Sequence, residues 1–323
     1  MRRRVLPNLL VFAACFAGGK LGLSVPFTSG NVSPVWPPAG IALAAVVIWG
    51  YGILPGVAAA AFLVNLLSPI SAAAALGISL GTTVSTATAR RLWEALQLRR
   101  TLERLRDVLG LFVIVLGAPL FAAAIGNTAL RLARLPAWGS FAEAVFVWWL
   151  GDAMGMLVLA PLLLNAAGLV HRRRWLELMV LLGALFFATL LVFDHRVGPH
   201  VAEDVLAFTL FPFIVWAALR FGVAGSALTS TLVAVTSVYY TAHNLGPFTH
   251  REPLANAVLL QVFLAVISAT GLILAAVVQE RHRAVDELDR DRKLRESEAK
   301  FRAVAETAAT AIYIHDGTRL LYL

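Results

Sequence analysis

FAEAVFVWWLGDAMGMLVLAPLLLNAAGL, residues Phe141 to Leu169, is an almost unbroken apolar run in which Glu143 and Asp152 are the only charged side chains. About 20 consecutive residues of this kind suffice to cross the hydrocarbon core of a bilayer as a helix. Comparable runs recur from Val5 to Val278. The 323-residue chain is 59% apolar and 14% charged, with a mean hydropathy of +0.78, whereas soluble domains carry about 25% charged residues. These proportions exclude a water-soluble globular fold. They predict an all-α, polytopic transmembrane bundle whose first partner is the lipid bilayer.

Working outward, helices are expected at about Val5 to Val25, Pro38 to Tyr51, Ile53 to Leu67, Ser71 to Trp93, Val108 to Leu130, Phe141 to Leu169, Leu176 to Phe193, Val205 to Leu219, Val223 to Ala242 and Leu254 to Val278. That makes ten crossings. The second and third join through Gly50, Tyr51 and Gly52, and the eighth and ninth through Arg220, Phe221 and Gly222; if either pair merges or is re-entrant, the alternative count is eight. The opening Met1 to Arg4 and the apolar stretch behind it have the charge pattern of a signal peptide. The stretch nevertheless runs past Cys15 without a polar mature start, and further spans follow, so it reads as a retained first helix.

With the N-terminus inside, inner loops receive thirteen arginines: Arg2 to Arg4, Arg90, Arg91, Arg99, Arg100, Arg104, Arg106, Arg172 to Arg174 and Arg220. Outer loops receive four: Arg131, Arg134, Arg196 and Arg251. This is the positive-inside pattern, and an even number of spans places both termini in the cytoplasm, in a cell inner membrane. The same clustering accounts for the net charge of +8 and the pI near 10.3, so no nucleic-acid partner is expected. A single cysteine, Cys15, forms neither an internal disulfide nor a multi-thiolate metal site.

Three regions follow. Residues 1–278 form the membrane part. Residues 279–300 are dominated by charge, without Pro or Gly, and read as a solvated helix; its apolar positions, such as Val285, Leu288 and Leu294, with Phe301 just beyond, are too sparse for a coiled coil. Residues 301–323 read as a short helix, a strand at Ala311 to Ile314, a turn at Asp316 and Gly317, and a second strand from Leu320 to Leu323. A strand pair of this size buries too little to be a domain, so the chain is expected to stop inside one.

The passages SPVWPPAGIALAAVVIWGYGILPG (Ser33 to Gly56) and WWLGDAMGMLVLAPLLL (Trp148 to Leu164) stand out. With Trp216, Arg220, Phe221, Gly222 and then Gly246, Pro247 and Phe248, they resemble the MASE1 family of bacterial membrane-associated sensor domains. The tail from Glu296 to Leu323 resembles the opening of a PAS domain, but lacks the remaining strands and helices of that fold. The resemblance implies a sensory input module that feeds a histidine kinase or a diguanylate cyclase, with a homodimer formed through the cytoplasmic output. No H-box, ATP-binding glycine motif or GGDEF-like motif occurs in the chain, so no catalytic residue and no cofactor is expected within it.

The passages supply candidate sensing or structural residues. Trp36, Pro37 and Pro38 belong to a rigid, uncharged outer loop leading into a helix; an aromatic anchor at headgroup depth is the first reading and a ligand-contacting loop the second. Asp152 lies deep in its apolar run, one turn from Trp148 and next but two to Trp149. An acid at that depth normally points into the bundle and marks a pairing or functional site. Lys20 is the only lysine within a span: it either pairs with Asp152 or snorkels outward and leaves the acid to a partner such as Asn127. Arg220, at an inner helix end, reads as a topology charge. Small residues every fourth position, Gly77, Gly81, Ser85 and Ala89, then Gly222, Ser226, Ser230 and Ala234, read as close helix packing. His195, His200, His243 and His250 fall in outer loops near Asp194, Glu203, Asp204 and Glu252, and read as surface histidines rather than a metal site.

The function expected is a membrane-embedded sensory input whose stimulus, a small molecule or a partner membrane protein, shifts a population of bundle arrangements and displaces the last helix. A transporter or channel is the alternative, suited by Asp152 and the threonines of the fourth helix. A scaffold without ligand is a third class.

Overall fold

The computed structural model describes residues 2–24, 33–134, 140–170, 174–194, 207–249, 252–307, 314–315 and 320–322. The chain divides into two units, Met1–Val278 and Gln279–Leu323. In the first, helices α1 (Arg2–Ser24), α2 (Pro37–Trp49), α3 (Leu54–Leu66), α4 (Ala72–Ala95), α5 (Leu105–Gly117), α6 (Pro119–Leu132), α7 (Phe141–Asn165), α8 (Ala167–Val170), α9 (Trp175–Phe193) and α10 (Phe211–Ala242) follow in order, and α11 (Pro253–Thr307) begins there and continues into the second unit. Short 3-10 turns, Gly50–Ile53 and Ala207–Leu210, precede α3 and α10.

Local chemistry sets the helix ends. Pro37 and Pro38 occupy the first turn of α2, where a missing N–H costs nothing. Ser71 caps α4 by accepting from the Ala74 N–H at 3.2 Å. At α7 the Ser140 hydroxyl accepts from the Glu143 N–H while the Glu143 carboxylate accepts from the Ser140 N–H, a reciprocal cap that explains why an acid is tolerated at that end of an apolar helix. Pro119 separates α5 from α6, and the Trp149 indole N–H donates to the Leu116 carbonyl at 2.8 Å beside that break.

Among the described residues, eight helical segments are long and apolar enough to cross a membrane, not the ten expected, because Pro37–Leu66 and Ala207–Ala242 each count once. The chain doubles back inside both. With α1 as a ruler, the Asn8 side chain donates to the Gly52 carbonyl and accepts from the Gly56 N–H, each at 2.7 Å. Toward the other end of α1, Gly22 abuts Trp36, Gly18 abuts Pro37 and Ile41, and Gly19 abuts Val64. The start of α2 and the end of α3 therefore share one end of α1, and their junction lies at the other. Each arm has 13 residues, about 20 Å of helix, short of the roughly 30 Å hydrocarbon core. The sequence count treated each arm as a span, although at 13 residues each is too short for one.

The second reversal is at Gly222, whose φ of 62° and ψ of −151° interrupt α10; only glycine adopts this conformation readily. Near the start of α9, Glu177 accepts from Arg220 and Trp216, and Leu178 and Leu181 pack with Ala217 and Phe221. At the far end of α9, Phe193 meets Phe248 and Phe263, and lies against Gly246.

Helix α7 lies between the two hairpins. A Cβ on Gly40 of α2 would fall onto the Gly155 carbonyl oxygen, and the Thr231 hydroxyl of the second arm of α10 donates to the Val158 carbonyl at 3.3 Å. Gly77 and Gly81 of α4 pack on Ala129 and Ala122 of α6, the close approach their spacing predicts. Such contacts replace the hydrophobic drive that lipid cannot supply.

In the second unit, Ile314–His315 (β1) and Leu320–Tyr322 (β2) pair antiparallel. The expected first strand, Ala311 to Ile314, is met only at its last residue; Ala311 to Tyr313 and the turn at Asp316 and Gly317 lie outside the described residues. No α/β domain is present among the described residues.

Candidate functional site

The loop before α2 is held against the bundle by backbone contacts. Its Trp36 N–H donates to the Gly151 carbonyl at 2.9 Å, and the Gln261 side-chain amide of α11 donates to the Pro34 carbonyl at 2.8 Å. The Ser33 hydroxyl closes the loop on the Val35 carbonyl at 2.7 Å. This approach needs glycine on α7: a Cβ at Gly155 would collide with the Trp36 carbonyl, and one at Gly151 would stand 2.7 Å from the Ser33 carbonyl oxygen. The Trp36 ring lies against Gly22 of α1. Trp36 is therefore a half-buried packing element joining α1, α2 and α7.

Asp152 occupies the same turn of α7. It is 5% exposed, and its Oδ1 atom has no hydrogen-bond partner. Trp148, one turn earlier, directs its indole N–H toward the carboxyl group, while its six-membered ring fits over Gly126 of α6. The shared face expected for Trp148 and Asp152 is thus present. The Lys20 pairing is not: the Lys20 ammonium lies 5.9 Å from the centroid of the Phe16 ring on its own helix, and no ion pair joins it to Asp152. Asn127, the other suggested partner, donates its amide to the Ala123 carbonyl at 2.9 Å. Trp149 points to α5, as described above.

Arg220 is more than a topology charge. It forms a two-pronged ion pair with Glu177, at 2.8 and 3.3 Å, that pins the second hairpin tip to α9. The first tip is held comparably. Arg90 and Arg100 donate to the Val47 and Ile48 carbonyls at the C-terminal end of α2, where helix carbonyls lack intrahelical donors, and the Tyr51 hydroxyl donates to Glu94 at 3.3 Å. Of the histidines, His195, His200 and His250 lie outside the described residues; His243 contacts the Tyr239 carbonyl through Nδ1. Among the described residues no three His, Cys, Asp or Glu side chains are grouped to hold a metal.

The three sequence passages singled out above thus meet at contacts that hold the bundle: the Ser33 to Pro38 loop, the Trp148 to Val158 face of α7, and the two hairpin tips. The model of the MASE1 family matches residues 7–282. The chain belongs to the MASE1 family. MASE1 domains are membrane-associated sensor domains, and the matched stretch takes in every membrane-capable helix up to the start of the charged part of α11. No curated protein matches the chain, and no solved structure does. Two residues central to this MASE1 bundle escaped the sequence reading, Gly155 and Gln261. Gln261 left a usable signal, an amide within the apolar run of Leu254 to Val278; Gly155 left only its four-residue spacing from Gly151.

Proposed function

We propose that this MASE1 domain is the input module of a bacterial sensor histidine kinase or diguanylate cyclase. It sits in the inner membrane with both ends cytoplasmic, and residues 301–323 open a PAS domain through which the output dimerises. A small molecule or a partner membrane protein favours one packing of the bundle and so repositions α11. The observation that carries this reading is α11 itself: one helix, Pro253–Thr307, takes in both the last apolar run and the charged segment after Val278, with no Pro or Gly between Leu272 and Arg302. A helix without a flexible joint passes tilt or rotation onward, whereas a Gly-rich linker absorbs it.

The test is a series of one to four residues inserted near Asp289 in a chain completed with a catalytic output. Each insertion turns everything downstream by about 100°, so output should vary with helical phase and recover near four residues. A response indifferent to phase would mark the segment as a tether and favour a transporter or anchor.

A further inference from the structure

The end of the bundle that carries the first hairpin tip holds more positive charge than its own acids balance. Between residues 90 and 107 the chain has six arginines, Arg90, Arg91, Arg99, Arg100, Arg104 and Arg106, against three acids, Glu94, Glu103 and Asp107. Glu94 is held by Arg90 at 2.8 Å and also accepts from the Tyr51 hydroxyl. Asp107 is buried, and its Oδ1 atom accepts from the Arg99 backbone N–H at 3.3 Å rather than from a guanidinium. Arg91, Arg99, Arg100 and Arg106 are exposed and form no ion pair among the described residues.

Two of these exposed guanidinium groups are fixed at helix ends. Arg100 donates to the Ile48 carbonyl at the end of α2, at 3.0 Å, and Arg106 donates to the Leu96 carbonyl just past α4, at 3.2 Å. A guanidinium has five N–H donors, so each keeps donors that an anion can take. The membrane-capable segment Ala72–Ala95 ends at this corner and Leu105–Leu132 begins there, which sets the arginines at headgroup depth. Trp49 and Tyr51, 47% and 42% exposed, stand at the adjoining tip, as aromatic side chains do at a membrane interface.

An apolar ridge leads away from the charge. Leu109, Val113 and Leu116 are exposed on α5 and follow Arg106 at helical spacing on one face. A molecule with a phosphate and an acyl chain engages both the arginines and the ridge, whereas a water-soluble phosphate engages only the arginines. A zwitterionic headgroup would bring its own cation against the unpaired arginines, so the complementary lipid is anionic.

We propose that the corner formed by the ends of α2 and α4 and the start of α5 binds an anionic phospholipid, its phosphodiester on Arg99, Arg100 and Arg106 and an acyl chain along the α5 ridge. Binding here is a property of the membrane part, and it holds or fails independently of any output attached to α11.

The experiment is the melting temperature of the full chain, purified in an uncharged detergent and titrated with phosphatidylglycerol, phosphatidylcholine or the soluble headgroup glycerophosphoglycerol. Phosphatidylglycerol should raise it by roughly 2–3 °C for each tenfold increase beyond half-saturation, and the other two should not. Arg99→Gln removes a guanidinium that holds no helix carbonyl, and should raise the half-saturating concentration of phosphatidylglycerol about fivefold. Arg99→Lys keeps the charge and should stay near wild type. Arg134→Gln, at the opposite end of the α5 and α6 segment, should leave the titration unchanged. Equal stabilisation by phosphatidylcholine would overturn the proposal, and equal stabilisation by glycerophosphoglycerol would replace the lipid with a free phosphate. An Arg99→Gln titration that coincides with wild type, or an Arg134→Gln titration that shifts as far, would also overturn it.

Discussion

Replacing Gly155 with alanine tests whether the loop before α2 is held as tightly as the structure requires. The new methyl group would overlap the Trp36 carbonyl oxygen and stand 2.7 Å from the Trp36 carbonyl carbon, both backbone atoms. Rotamer changes cannot relieve that clash, so α2 and α7 must part by about an ångström, an overpacking that costs about 1–3 kcal/mol. The same displacement strains two hydrogen bonds, Trp36 N–H to Gly151 and Gln261 to Pro34, each contributing about 1 kcal/mol. The expected loss is therefore about 2–5 kcal/mol, or a fall in melting temperature of roughly 5–15 °C at a few degrees per kcal/mol. Gly183→Ala on α9 is the control: its Cβ would meet nothing within 4 Å, and alanine is the better helix former by about 0.5–1 kcal/mol. Fluorescence-detected melting of the detergent-purified proteins reads both. A Gly155→Ala variant that melts within a degree of wild type, or a Gly183→Ala variant that falls as far, would refute the reasoning.

Two further outcomes follow from the same contacts. Asn8→Leu removes both hydrogen bonds that tie α1 to the first hairpin tip and leaves the Gly56 N–H and Gly52 carbonyl without those partners, so it should cost about 1–3 kcal/mol; an unchanged melting temperature would show that the tip is held without Asn8. In a Cys15→Ser background, a cysteine at Tyr51, which is exposed beside Glu94, should react with a membrane-impermeant thiol reagent from the same side as a cysteine at Arg99. Protection of position 51 from both sides would place the junction in mid-membrane and refute its position on the Arg99 side.

The helical runs were legible because apolar length is a one-dimensional property, and the junctions at Gly50 to Gly52 and Arg220 to Gly222 were visible as breaks in it. What the breaks do was not legible. A break leading into a new crossing and one folding two arms against a neighbouring helix have the same composition, and only long-range contacts such as Asn8 with Gly52 and Gly56 separate them. The contacts of Trp36 were not legible for a related reason: tryptophan beside proline at the end of an apolar run has the signature of an interfacial anchor, and the glycine that receives its ring, Gly22, is on another helix. Asp152 was legible because an acid in a membrane helix is conspicuous wherever it points. Arg220 was conspicuous too, but its partner Glu177 lies 43 residues away, and the positive-inside rule offered a sufficient account without it.

The arginines have a second role that topology statistics alone do not express. Two short arms that reverse inside the bundle each expose a helix terminus near their tip, and orphaned carbonyls there need donors. Arg90 and Arg100 supply them for α2, while Arg220 ties the second tip to Glu177. At the other end of the first hairpin, the Ser33 to Pro38 loop contacts both α7, through Gly151, and α11, through Gln261. The first hairpin thus touches the acid-bearing helix and the helix that leaves the membrane part through backbone atoms of a single proline-stiffened loop. A change in how that loop sits on α7 cannot leave the Gln261 contact unaltered unless the loop itself bends, and Pro34, Pro37 and Pro38 restrict that bending.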